Sequence, residues 1–194
     1  MILYFSPGAC SLADHIALYE AGLKFDLEKV DLKSHTLEDG SPLRAITPKN
    51  YIPVLKLDDG QILTENVAIL AYIADQAPAL MPPGPLGRYR LLETMAYIAT
   101  EIHKSFAPLF HGAPEPEKKQ AIAAIGKRLD YVAKVFKGPH LFGEKATVAD
   151  AYLFVMLLWA ERNKLPIPDP LPAFAERMRT RPTVQAALKH EELH

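Results

Sequence analysis

Residues 2–22 read ILYFSPGACSLADHIALYEAG, and the pattern of the chain changes in the middle of this stretch. ILYF is a short apolar run that predicts a strand, and Ser6, Pro7 and Gly8 follow it as turn formers. Leu12, Ile16, Tyr19 and Leu23 then recur at helical spacing, which predicts a helix over roughly 11 to 22 with Gly22 set to end it. KFDLEKVDL, at 24–32, alternates well enough for a second strand. Two strands separated by a helix should run parallel. Further on, PVLKLDDGQILTE at 53–65 holds two β-like runs joined by Asp58-Asp59-Gly60, a hairpin signal, so that pair should be antiparallel. NVAILAYIADQ at 66–76 is apolar at Val67, Leu70, Ala71 and Ala74 and predicts another helix. The order is β-α-β, an ambiguous piece, then β-β-α.

The composition shifts at APALMPPGPLG, 77–87, which has four prolines, too many for a helix interior. A boundary is expected at about 77 to 86, with an α/β domain over 1–80 and an all-helical domain over 87–194. RYRLLETMAYIATEIHKSFAPLF at 88–110 reads as one long helix, EKKQAIAAIGKRLDYVAKVF at 117–136 as an amphipathic one, and TVADAYLFVMLLWAERN at 147–163 as a buried central one. Two shorter helices should follow. Apolar residues make up 49 % of the 194, enough for a sizeable core, and the net charge is −1. That balance argues against a nucleic-acid partner or an anionic membrane surface. No apolar run approaches the roughly 20 residues of a bilayer span, and the N-terminal stretch lacks the basic region of a secretory signal. A single cysteine fits a reducing cytoplasm.

That cysteine, Cys10, stands where the helix should begin. A helix N-terminus lowers a thiol pKa from about 8.5, because open amides and the dipole favour the thiolate, and the same amides would favour a ligand anion. The competing reading is a small buried hydrophobe. Pro53 marks a strand start, and its peptide bond reads as trans on frequency; in the cis form it would turn the Ile52 N–H and C=O toward an extended peptide. Thr64-Glu65-Asn66 opens a helix and reads first as capping, or as a holder of a small carboxylate. Ala96, Thr100 and His103 share one helix face. Thr147 to Asp150 is a capping box. The seven histidines show no metal-ligand spacing with cysteines or carboxylates, so no metal is expected.

Taken in order, SPGACSLADHIAL at 6–18, IPVL at 52–55, LTENVAILAYIAD at 63–75, YIATEIHKSF at 97–106 and TVADAYLF at 147–154 resemble the cytosolic glutathione transferase family over the whole chain, most specifically its bacterial beta class. The resemblance implies a thioredoxin-like N-terminal domain that binds glutathione and an all-α C-terminal domain. It implies that Pro53 is cis, that the Ile52 backbone pairs with the cysteinyl part of glutathione, and that Glu65 and Asn66 hold its γ-glutamyl end. Cys10 and His103 match the residues beside the glutathione sulfur, with Thr100 and Glu101 near the site, partly across a homodimer interface. His35 stands where the family often has a lysine near the glycine carboxylate, Ala96 where it often has an asparagine, and Asn66 where small residues are usual. Ser11 is a minor candidate donor to the sulfur, and Tyr4, inside the first strand, reads as packing. The implied activity is conjugation of glutathione, as co-substrate, to small hydrophobic electrophiles, with peroxidase or thiol-disulfide exchange through Cys10 alongside. Phe106, Phe110, His111 and Trp159 are the expected lining for the electrophile. The competing function is a transferase-like fold kept as a non-catalytic binding or partner module.

Overall fold

The computed structural model describes residues 1–193. Strand β1 (Ile2–Phe5) leads through a turn into helix α1 (Leu12–Glu20), which returns the chain to β2 (Asp26–Asp31). Gly22, at φ +64°, supplies the left-handed turn that stops α1. A two-residue strand β3 (Thr36–Leu37) folds back on β2, and β4 (Val54–Lys56) and β5 (Ile62–Thr64) form the hairpin, with Leu57 N–H donating to the Gln61 carbonyl at 2.8 Å. The sheet order is β3-β2-β1-β4-β5, with β1 parallel to β2 and antiparallel to β4. This mixed sheet, followed by α2 (Asn66–Gln76), is the expected thioredoxin-like arrangement. The sequence did not announce β3, which is a short edge strand closing the sheet. The Ile52–Pro53 peptide is cis, against the frequency argument and in line with the family resemblance.

The rest of the described chain is helical, but the expected long helix over 88–110 is not continuous. Helix α3 (Gly87–Tyr97) passes into a π-helical stretch (Ile98–Ile102), a 3-10 turn (His103–Phe106) and a short α4 (Ala107–Phe110). The change of pitch falls at His103 and re-aims the side chains after it, a feature π-segments often bring to functional sites. Helices α5 (Glu115–Val135), α6 (Val148–Arg162), α7 (Leu171–Arg179) and α8 (Pro182–His190) complete the chain. Nearly all of α6 is buried, so it is the central post of the molecule. Its start is the capping box read from the sequence: Asp150 accepts from the Thr147 N–H and hydroxyl at 2.7 Å each, and also from the Leu141 N–H at 2.9 Å. One apolar cluster joins α1 and α2 to α3, α5 and α6, while Tyr4, Val30, Leu43, Ile52 and Val54 form a second under the other sheet face. Tyr4 is therefore packed away in the sheet, as expected.

Candidate active site

A cavity of about 650 Å³ opens where the α1 and α2 end of the sheet meets the helical half. Five chain segments and the side chain of Leu32 wall it. The loop Pro7–Cys10 and the Tyr51–Pro53 lead-in to β4 form one side, and the first residues of α2 form the floor. The π-to-α4 segment and α6 close it opposite with Ala99, His103, Phe110, Tyr152 and Trp159.

Among the residues expected to carry chemistry, Cys10, Ile52, Pro53, Glu65, Asn66 and His103 all line this cavity. Ser11, His35, Thr100 and Glu101 do not. Ser11 is fully buried behind the loop, where its hydroxyl donates to the Ser6 carbonyl and accepts from the Ser6 N–H, so it braces the turn instead of reaching the sulfur. His35 sits in the tight β2–β3 connection at φ +55°, its backbone tied to Asp31 and Leu43, which keeps it off the cavity wall. Thr100 is exposed and bonds back to the Ala96 carbonyl at 3.0 Å, and Glu101 is paired with Arg128 at 2.8 Å. Phe106, expected in the lining, is wholly buried, whereas Phe110, His111 and Trp159 do line the cavity.

The electrostatics of Cys10 reverse the expectation drawn from its place in the sequence. Helix α1 starts only at Leu12, and Cys10 is 9 % exposed. Burial, helped by the carboxyl of Asp14 below it, pushes its thiol up to about 12, more than its backbone hydrogen bonds recover. The Asp14 side chain is itself fully buried, which raises its pKa well above the usual carboxylate range. Asn66 spans the two, donating to the Cys10 carbonyl at 2.9 Å and to Asp14 Oδ2 at 2.8 Å. Its side-chain amide thus ties the start of α2 to the Cys10 loop and α1 at the cavity wall. Burying a carboxyl costs less when it is protonated and hydrogen-bonded, and the direction of the Asp14 shift fits that.

Glu65 precedes α2 at φ +72° and makes no capping bond, contrary to the capping reading. Its carboxylate accepts from Lys49 Nζ and from the Tyr51 hydroxyl at 2.6 Å, which hold its pKa below the usual value. With no side-chain cap, the first-turn amides of α2 stay open for an anion at the cavity floor. Ile52 makes no backbone hydrogen bond among the described residues.

His103 is the centre of a relay that the sequence did not reveal. Its Nδ1 lies 2.8 Å from the Tyr152 hydroxyl, and the edge of Trp159 packs against it with ring centres 5.0 Å apart. Trp159 Nε1 donates to the Gly8 carbonyl at 2.8 Å, which links the helical half to the Cys10 loop. Burial lowers the His103 pKa to about 4 and raises that of Tyr152, so both are neutral near pH 7. Tyr152 has no other hydrogen-bond partner among the described residues; in the tautomer in which its O–H donates to Nδ1, the proton of His103 sits on Nε2. Tyr152 stands two residues past the capping box. A polar aromatic on an otherwise apolar buried helix was the only trace of it in the sequence. Among the described residues, no group of three or more His, Cys, Asp or Glu side chains could hold a metal ion.

Comparison with known proteins places these features. Residues 9–76 match the family model of the glutathione S-transferase N-terminal domain, and 97–182 that of the C-terminal domain. The chain is 46 % identical to glutathione S-transferase GstA of Escherichia coli O157:H7, over all of both chains. It superposes with a TM-score of 0.91 and 43 % identity on a sphingomonad glutathione S-transferase complexed with glutathione, covering 100 % of each chain. A bacterial beta class glutathione S-transferase from Sphingomonas chungbukensis gives the same TM-score at 44 % identity, again with 100 % of both chains covered.

Proposed function

The chain belongs to the glutathione S-transferase family, and from that we infer an enzyme of the bacterial beta-class kind, which joins the glutathione sulfur to a small hydrophobic electrophile. Glutathione is its co-substrate. The observation that carries the reading is one cavity that gathers Cys10, the free Ile52 backbone, Glu65 with the open α2 amides, and His103, opposite an aromatic wall.

Each group has a chemical task. The α2 first-turn amides take the γ-glutamyl carboxylate, and the ionised Glu65 takes the ammonium beside it. Ile52 N–H and C=O add the cysteinyl main chain to the sheet edge. The substrate sulfur then lies between Cys10 and His103. Transfer requires the thiolate, formed as the thiol proton passes to solvent, which then attacks the electrophilic carbon as the leaving group departs. The Nε2–H of His103 donates to that thiolate, and Tyr152 holds the ring in the donating tautomer. Cys10, as a neutral S–H, is a second weak donor and not the attacking group. Thiol-disulfide exchange through Cys10 is accordingly a side activity, because exchange needs the thiolate form.

The partner-module reading expected a degraded thiol site and has lost its support, since full-length relatives are named transferases. We further propose a homodimer that uses α3 and α5, where Leu86, Tyr89, Tyr131 and Val135 are exposed apolar groups. No helix of the described residues is long and apolar enough to cross a membrane, and the cytoplasm suits the free cysteine. The test is glutathione binding by calorimetry together with glutathione-dependent turnover of 1-chloro-2,4-dinitrobenzene. Saturable binding and turnover that survives Cys10→Ala are expected. Absence of both binding and turnover in the unmodified protein would overturn the reading.

A further inference from the structure

The aromatic end of the cavity carries charge that the transfer reaction does not use. Arg162, the final residue of α6, lines the cavity one turn after Trp159, and Lys104 and His111 line it from the segment around α4. Arg162 and Lys104 have no ion pair among the described residues, although arginines close by in the fold do: Arg179 is held by Glu161 and Glu176, and Arg181 by Glu20. Among the described residues the one acidic side chain on the cavity wall, Glu65, is already engaged by Lys49 and Tyr51 at the other end. The aromatic end is thus an apolar slot with uncompensated positive charge at its rim. Glutathione brings two carboxylates and one ammonium. The α2 amides and Glu65 meet one of each, and Lys104, next to His103, is within the cavity for the glycine carboxylate. Arg162 is left over, on the wall where Phe110 and Trp159, packed edge to face with ring centres 4.9 Å apart, offer one aromatic surface for an arene to lie against.

We propose that this end selects electrophiles carrying an anionic group, an aromatic carboxylate being the simplest, held by the Arg162 guanidinium with His111 as a neighbouring donor. The proposal rests on the transferase reading and narrows its substrate class. A guanidinium suits the role because its planar fork takes a carboxylate bidentately and can lie along an aromatic ring at the same time.

A matched pair of substrates tests it: 4-chloro-3-nitrobenzoate and its methyl ester. In each, the glutathione thiolate forms a C–S bond at the chlorinated ring carbon, the C–Cl bond breaks, chloride leaves, and the thiol proton goes to solvent. The quantity read is the ratio of kcat/KM for the carboxylate over the ester. Intrinsic ring reactivity cancels when that ratio is compared between proteins. The ratio is expected to fall roughly five-fold in Arg162→Gln, the size of a rim charge pair, to recover in part in Arg162→Lys, and to fall in the unmodified protein as salt is raised. Equal ratios in the unmodified protein and Arg162→Gln would overturn the anion preference while leaving the transferase reading intact, because the ester would still turn over. Consumption of neither compound by a protein that turns over 1-chloro-2,4-dinitrobenzene would overturn this proposal alone; no glutathione binding and no turnover of any of the three would overturn the transferase reading with it.

Discussion

At neutral pH the Cys10 thiol keeps its proton, because burial and the carboxyl beneath it outweigh its backbone hydrogen bonds. Alkylation by iodoacetamide follows the thiolate fraction. The labelling rate is therefore expected to keep rising through pH 10 with no plateau by pH 9; a plateau near pH 8 would mean an ordinary or activated thiol. His103 moves the other way. Its folded value of about 4 lies below its ordinary 6.5, so between those values the unfolded chain binds more protons than the folded one. Stability contributed by neutral His103 is thus lost as pH falls from 6.5 toward 4. The melting temperature of His103→Gln should drop less over that window than that of the unmodified protein, and parallel curves would contradict the assignment. Position along the chain made Cys10, Glu65 and His103 legible as candidates. Their protonation was not legible, because it depends on burial and, for Cys10 and Glu65, on Asp14, Lys49 and Tyr51, which the fold brings against them. Nor could the sequence tell that Ser11 and His35 turn away, since local backbone geometry decides that.

Among the elements, α6 is the one whose sequence and structure agree most closely. Its apolar face runs all round and its N-terminus is capped by Thr147 and Asp150. Replacing Asp150 by Ala leaves two N–H groups and one hydroxyl without their buried acceptor. That is expected to cost about 3 kcal/mol, read as a lower urea midpoint at unchanged slope; a loss under about 1 kcal/mol would mean that water replaces the carboxylate. The hairpin and α2 were as readable, since Gly60 at φ +86° and a clean apolar repeat mark them. The broken helix after α3 was not. Leu91, Met95, Ile98, Ile102 and Phe106 are all buried and recur at three- and four-residue steps, so the apolar stripe runs unbroken through a change of pitch. No glycine or proline marks the change until Pro108. It comes from packing against α5 and α6, which a single element's pattern does not contain.

Across the molecule, the loop that carries Cys10 is held from the far end of the chain. Glu191, after α8, accepts the Gly8 N–H through Oε2 at 2.8 Å and bonds His15 Nδ1 through Oε1 at the same distance, with both side chains of the pair fully buried. Trp159 holds the Gly8 carbonyl from the other side. Glu191→Ala strands two buried polar groups, so it should cost about 3 kcal/mol and raise the KM for glutathione as the loop loosens. Lower thermal stability with an unchanged KM would show that Trp159 alone is enough to fix the loop. The same clasp sets an order of events during synthesis. Gly8 leaves the ribosome early, yet its partner lies 183 positions downstream. A nascent chain still short of Glu191 can pair its strands and wind its helices, but it cannot finish the wall that carries Cys10, so competence to bind glutathione should arrive in one late step of translation and not build up as the chain grows.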